Sequence, residues 1–245
     1  MILGPDGKKM SKSKGNVINP DEIVEEFGAD TLRVYEMFMG PLEADKPWDS
    51  RAVAGVSRFL RKAYKLVVLA NENQTTESNK AVERKLHQTI LKLTKDIPAL
   101  KFNTAIAMMM ELLNLWESES KNGKSALKME DVEKFVLILA PFAPFIAEEL
   151  YGFCREVSNE DQYQGVHVQA WPKHDEELAR EDNITFAIQV NGKVRSQVEV
   201  SVDLANNKDK VLKLAKENEE IKRWLDGEIV KEIFIPGKIV SFVVR

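Results

Sequence analysis

The densest set of chemically capable side chains lies near the start of the chain. There, Lys8-Lys9-Met10-Ser11-Lys12-Ser13-Lys14-Gly15 sets four ammonium groups and two hydroxyls within seven residues. Flexible ammonium groups are point-charge partners for anionic oxygens, phosphate above all, and they stabilise charge that accumulates there. Taken by itself the run is also readable as an ordinary solvated loop. It is not a P-loop, which needs Gly-Lys-Ser/Thr beginning five residues after a first glycine, because Gly4 leads to Lys9 and Gly7 to Lys12. A nuclear-localisation reading has to accept the interruptions by Met10 and the serines and the capped helix that follows at once.

Other chemistries have less to work with. Cys154 is the sole cysteine, so no internal disulfide is possible and a reducing compartment, the cytoplasm, is expected. His87, His167 and His174 have no second ligand at metal spacing, and one thiolate cannot build a zinc site, so no metal is expected. With 44% hydrophobic and 30% charged residues the composition is that of a soluble globular protein. No apolar run is long enough to span a bilayer, and Met1 to Gly4 run straight into Pro5-Asp6-Gly7 rather than into a signal peptide. The net charge of −4 is an average. The first fifteen residues and the last sixty lean basic, while the connector near residues 160–182 is acidic.

The elements that must position these groups are legible from periodicity. Asn19-Pro20-Asp21-Glu22 reads as a helix start with Asn19 as N-cap and Glu22 closing a capping box. Ile23, Val24 and Phe27 supply its buried face. A second short helix, capped by Asp30 and carrying Leu32, Tyr35, Phe38 and Met39, ends at Gly40-Pro41. Both are apolar on several sides, which calls for a large surface to lie against, expected to be more protein than these residues supply. From Asp49 the pattern becomes that of long amphipathic helices, with Val53, Val56, Leu60, Ala63, Val67 and Ala70 on the first stripe. Further stripes follow at Val82, Leu86, Ile90, Leu93 and Ile97, at Ile106, Met109, Met110, Leu113 and Trp116, and from Val132 to Phe153 across Pro141 and Pro144. Four or five such helices with short loops make an antiparallel bundle. The basic run Arg58, Arg61, Lys62 and Lys65 reads as the solvated face of its helix.

After a charged linker at 174–182 the period becomes two. Ile184, Phe186, Ile188 and Val190 alternate with polar or small residues, and Asn191-Gly192 is a strong hairpin signal. A return strand, one helix from about Asn207 to Leu225 bearing Val211, Leu214, Ile221 and Trp224, and two strands around Pro236-Gly237 complete a ββαββ module. The expected organisation is therefore mainly α with a small α+β domain: residues 1–48 with the lysine loop and its stem helices, a helical bundle at 49–173, the linker, and the ββαββ domain at 183–245.

Lys9-Met10-Ser11-Lys12-Ser13, with Asn16-Val17-Ile18-Asn19-Pro20 behind it, resembles the KMSKS signature of class I aminoacyl-tRNA synthetases. Phe102-Asn103-Thr104-Ala105 and Leu139-Ala140-Pro141-Phe142-Ala143-Pro144 resemble the anticodon-binding-type domain of that class. Gln189-Val190-Asn191-Gly192-Lys193-Val194-Arg195 and Pro236-Gly237-Lys238-Ile239-Val240 are similar to the C-terminal domain of the bacterial leucyl branch. The resemblance implies ATP, with Mg2+, and leucine as substrates and tRNA(Leu) as partner, with neither DNA nor a membrane involved. It implies that Lys9 and Lys12 act catalytically on the ATP phosphates. Lys9, Met10, Ser11, Lys12 and Ser13 then form the ATP-binding loop, with Met10 seating it. A loop that closes as the triphosphate reacts stabilises the transition state rather than the ground state. For tRNA the resemblance points to Asn191, Lys193, Arg195 and Lys238. Phe145 stands where many relatives carry histidine and is expected in the bundle core, and Arg33 is expected to pair with a carboxylate.

None of the three histidines opens a His-x-Gly-His signature. By the resemblance this implies that the nucleotide fold lies outside these residues and that the chain alone does not activate leucine. It reads as the C-terminal part of a longer enzyme, beginning in mid-domain. Two alternatives stand beside this one: a piece of an isoleucyl, valyl or methionyl relative, whose C-terminal appendage would differ, and a stand-alone tRNA-binding module, which would have no use for an ATP-closing loop.

Overall fold

The computed structural model describes residues 1–155, 164–180 and 183–245. Of the acidic connector, residues 160–163, 181 and 182 lie outside the described residues. The chain forms two compact units, Met1–Ala179 and Arg180–Arg245.

In the first unit a short strand β1 (Ile2–Leu3) pairs in parallel with β2 (Lys46–Pro47), which brackets the lysine loop and two stem helices between neighbouring strands. Helix α1 (Pro20–Phe27) starts where the sequence places it, with the Asn19 side chain accepting from the Asp21 N–H. Its face is only half-buried, through Ile23 and Phe27, and Val24 is exposed, contrary to expectation. Helix α2 (Ala29–Phe38) departs further, because its N-cap is Gly28 and not Asp30. Asp30 instead accepts from the backbone N–H of Ile146 at 2.7 Å and of Phe145 at 3.4 Å, so it caps a helix far away in sequence. Tyr35 is buried edge-on to Trp48, with ring centroids 4.7 Å apart, and its hydroxyl accepts from the Asp49 N–H. Helix α2 thus finds a surface within this unit, while α1 keeps its face half in solvent.

Five helices then make the bundle: α3 (Ser50–Glu72), α4 (Lys80–Asp96), α5 (Phe102–Glu119), α6 (Met129–Leu139) and α7 (Pro144–Cys154). Asp49 and Asn79 cap α3 and α4 by accepting from the N–H groups that a helix start leaves unpaired. The expected stripes close on one another. Val53, Val56, Ala63, Val67, Leu86, Ile90, Leu93, Ile106, Leu113, Trp116, Phe135 and Leu139 are essentially inaccessible in one continuous core. Arg33 fixes the stem to this core by donating to the Pro141 carbonyl at 3.3 Å rather than by the expected carboxylate pair. Phe145 is the clearest reversal: it is 71% exposed, since the first turn of α7 points it away from the bundle. Residues after α7 return to the bundle, where Trp171 donates to Thr94, the Asp175 N–H to His87 Nδ1, and Gln88 to the Ala179 carbonyl.

The second unit is a four-stranded sheet in the order β4-β3-β6-β5, formed by β3 (Asn183–Val190), β4 (Lys193–Ser201), β5 (Ile229–Ile235) and β6 (Ile239–Val244). The β3–β6 pairing is parallel, so the helical segment makes the crossover between the two hairpins. Asn191 and Gly192 take φ of 51° and 76°, the left-handed pair that a tight hairpin turn needs. The single helix expected at 207–225 is two, α8 (Lys208–Glu217) and α9 (Glu219–Lys222), because Asn218 leaves helical geometry and caps the second by accepting from the Glu220 N–H. Val211, Leu212, Ala215 and Ile221 close a separate core over Phe186, Ile188, Val240 and Phe242. Leu214 and Trp224 are partly in solvent.

Candidate functional site

The lysine loop is built from its ends inward. The Gly4 N–H donates to the Lys8 carbonyl and the Gly7 N–H to that of Gly4, which folds residues 4–8 into a tight bend. Asp6 lies inside it, accepting from the Lys8 N–H at 3.1 Å and from Asn16 Nδ2 at 3.1 and 3.3 Å. These backbone and amide donors hold its carboxyl below the usual range. Asn16 in turn accepts from the Ser11 N–H at 2.9 Å, so one amide ties both sides of the loop together. A Cβ on Gly4 would stand 2.8 Å from Asp6 Oδ1 and 2.9 Å from Asn16 Nδ2, so the clamp requires glycine there.

Between these anchors Lys12–Lys14 make one turn of 3-10 helix, closed by Gly15 at φ 65°. Met10 is half-buried against the core of the unit, and the Ser11 and Ser13 hydroxyls lie 3.2 Å apart. Lys8, Lys9, Lys12 and Lys14 are all exposed. Among the described residues none of them makes an ion pair, whereas Lys62, Lys85, Lys92, Lys128 and Lys134 of the bundle are each paired with a carboxylate. The arrangement is a braced scaffold carrying four exposed ammonium groups that no carboxylate neutralises among the described residues, chemistry suited to anionic oxygens. Asp6 and Asn16 were not singled out from sequence, for a bond between side chains ten residues apart leaves no periodic trace.

In the second unit the structure sorts the four candidate RNA contacts. Lys193 is exposed at the hairpin. Asn191 is committed to the fold, its side chain donating to the Val244 carbonyl and accepting from the Val244 N–H. Lys238 immediately precedes β6, and Val190, the partner of Lys193, pairs with Phe242 near the far end of that strand. The two lysines are therefore separated by four residue steps, about 13 Å along the sheet. They do not converge.

Arg195 is the extra residue of a bulge, since Ile188 pairs with Ser196 and Gln189 with Val194. Bulges re-aim side chains, and here the guanidinium lies 3.7 Å from the centroid of Trp224, with Arg223 5.4 Å from the same ring. Arg195 Nε is buried without a hydrogen-bond partner. Together with Glu219, Glu220 and Arg223 it lines a shallow recess. Trp224 carries no signal of a binding role in the sequence beyond its place on the helix, and nothing in the sequence foretells the bulge that brings Arg195 to it.

Residues 79–212, more than half of the chain, match the family described as the anticodon-binding domain of tRNA ligase. The chain belongs to this family of tRNA ligases. Residues 1–49, which hold the lysine loop, match the class I tRNA synthetases of the I, L, M and V group. Among individual relatives, the leucine–tRNA ligase of Chlorobaculum parvum is 43% identical over 100% of the chain and 29% of its own length. That of Leptospira biflexa is 43% identical over 100% of the chain and 27% of its own length. A LeuRS of Agrobacterium radiobacter, solved as a ternary complex with tRNA and LeuAMS, superposes with a TM-score of 0.73 at 27% identity, covering 100% of this chain and 32% of that one. The chain thus spans under a third of the length of the relatives it matches, and the match extends through the second unit, where an isoleucyl, valyl or methionyl relative was expected to differ. It is the C-terminal region of the leucine–tRNA ligases that this chain resembles.

Proposed function

We propose that this chain supplies the phosphate-holding loop and the tRNA-holding surfaces of a leucine–tRNA ligase, which joins leucine to ATP as leucyl-adenylate and transfers leucine to tRNA(Leu). The observation that carries the reading is the braced, unneutralised lysine loop in the residues that match class I synthetases. As the leucine carboxylate attacks the α-phosphorus, negative charge moves onto the departing pyrophosphate. Lys12 and Lys9 meet that charge, and the Ser11 and Ser13 hydroxyls donate to the same oxygens. Met10 and Asn16 anchor the base of the loop, from which the exposed lysines close on the triphosphate as it reacts. Mg2+ is assigned to ATP, as part of the substrate. The described residues do not fit a resident site for it, because Asp6 is engaged by Asn16 and Lys8 and no group of three or more His, Cys, Asp or Glu is placed to hold a metal.

Lys193 and the stacked Arg195–Trp224 pair are the tRNA contacts of the second unit. Lys193 takes a phosphate, and the guanidinium and indole offer flat surfaces to an unstacked base. Substituting Lys193→Ala and Arg195→Ala together is expected to weaken binding of a tRNA(Leu) transcript by the chain and to lower the slope of log affinity against log salt by about 1–2. An unchanged slope would remove both residues from the reading. The chain alone is expected to show no leucine-dependent pyrophosphate exchange. In a complete ligase containing it, Lys12→Ala should lower that exchange about 100-fold or more while leaving tRNA affinity unchanged. Exchange by the 245 residues alone, or full exchange by the Lys12→Ala ligase, would contradict the assignment.

A further inference from the structure

The first unit holds a cleft of about 680 Å³ that the lysine loop does not use, lined by the end of α1, the start of α2, one face of α3 and the start of α7. Its lining is mainly apolar, with Leu60, Phe27 and Ile146 among the contributors, and two aromatic rings reach solvent there: Phe145, 71% exposed, and Tyr64, 38% exposed. A phenylalanine so exposed stands apart from the other large aromatics of this unit, most of which are buried or half-buried. Arg61 and Lys65, one helical turn apart on α3, stand at the same cleft. Neither makes an ion pair among the described residues, while Lys62 between them pairs with Glu117 at 2.5 Å. The carboxylate lining the cleft, Asp30, is occupied by the N–H groups of Phe145 and Ile146.

Resting on the tRNA-ligase reading, we propose that this cleft seats an unstacked nucleoside of the bound tRNA, with its base against Phe145 and Tyr64 and its phosphate on Arg61 and Lys65. Aromatic faces accept a base of any identity and unpaired cations accept the backbone, which is the combination that single-stranded RNA selects. The charge argues for RNA over a protein segment: two unneutralised cations beside exposed rings complement a polyanion, and an apolar peptide would leave them unanswered.

The test is binding of a tRNA(Leu) transcript to the full chain, followed by fluorescence anisotropy across a salt series. Phe145→Ala should lower affinity about ten-fold, and Phe145→Tyr should keep it within three-fold of the wild type. Arg61→Gln with Lys65→Gln should reduce the salt slope by about 1.5. All these side chains are exposed, so circular dichroism should be unchanged. Independently of any substitution, 4-thiouridine-substituted tRNA should crosslink to the peptides that contain Tyr64 or Phe145.

Affinity of Phe145→Ala within two-fold of the wild type, or crosslinks that avoid both peptides, overturns the inference. So does sedimentation showing a wild-type dimer that Phe145→Ala dissolves, which would make a second copy the occupant. If these fail while Lys193→Ala with Arg195→Ala still weakens binding, the cleft reading alone falls. If the wild-type chain binds no tRNA, the proposed function falls with it.

Discussion

At the scale of single residues, the lysine loop depends on two side chains that carry no charge to a ligand. Asn16 bridges Asp6 and Ser11, and each such hydrogen bond contributes about 1 kcal/mol net. Asn16→Ala removes several at once while the Gly4–Lys8 bend and the Met10 contact remain, so the loop should open locally without the bundle unfolding. Cleavage by a lysine-specific protease between residues 8 and 14 is expected to quicken about ten-fold, with Tm changed by less than about 2 °C. Equal cleavage rates would show that the clamp does not hold the loop. The ammonium groups themselves were readable from the sequence because they are contiguous. Their brace was not, and neither was the outward turn of Phe145, because residue type reports what a side chain tolerates and not which way a first helical turn aims it.

Among elements, the surprises lie where one element supplies what another lacks. Helix boundaries and apolar stripes were legible because caps and periodicity are local. Asp30 looked like the cap of its own helix for the same reason, yet it satisfies the first turn of α7. Asp30→Ala is expected to destabilise the first unit by about 1–2 kcal/mol, lowering Tm by roughly 3–6 °C, and Asp30→Asn, which keeps an acceptor, should cost about half as much. Matching melting curves for Asp30→Ala and wild type would refute the role.

The segment docked on α4 adds a dependence on pH. His87 is 3% exposed and its Nδ1 accepts from the Asp175 N–H, which only the neutral ring with its proton on Nε2 can do. Burial, helped by Lys134, pushes its pKa down against the opposing pull of Asp131, Glu83 and Asp175. Folded protein therefore binds fewer protons than unfolded chain below about pH 6.5, and this contribution to stability, complete above that value, declines as pH falls through and below it. The urea midpoint should drop more between pH 7.5 and 5.5 in the wild type than in His87→Gln. Parallel drops would mean that His87 does not titrate on unfolding.

Taken as a whole molecule, the chain has two cores that share no buried residue. The second unit has only sixty-odd residues, and at that size a domain's margin is roughly 3–10 kcal/mol. This division follows from the change of hydrophobic period near residue 183, and the formal charge of −4 conceals it, since an average over both units says nothing of where unpaired lysines and arginines stand. Phe242 is inaccessible at the centre of the smaller core, and Phe242→Ala should remove about 3–5 kcal/mol, much or all of that margin. Trp224 is the single tryptophan of the second unit, with the others at positions 48, 116 and 171, so its fluorescence can be separated by comparison with Trp224→Phe. In Phe242→Ala the Trp224 signal should be lost at low urea while the helical circular dichroism of the bundle melts at its wild-type midpoint. If both signals instead shift together, the units unfold as one, and the contribution of the smaller unit to tRNA binding cannot be separated from the stability of the bundle.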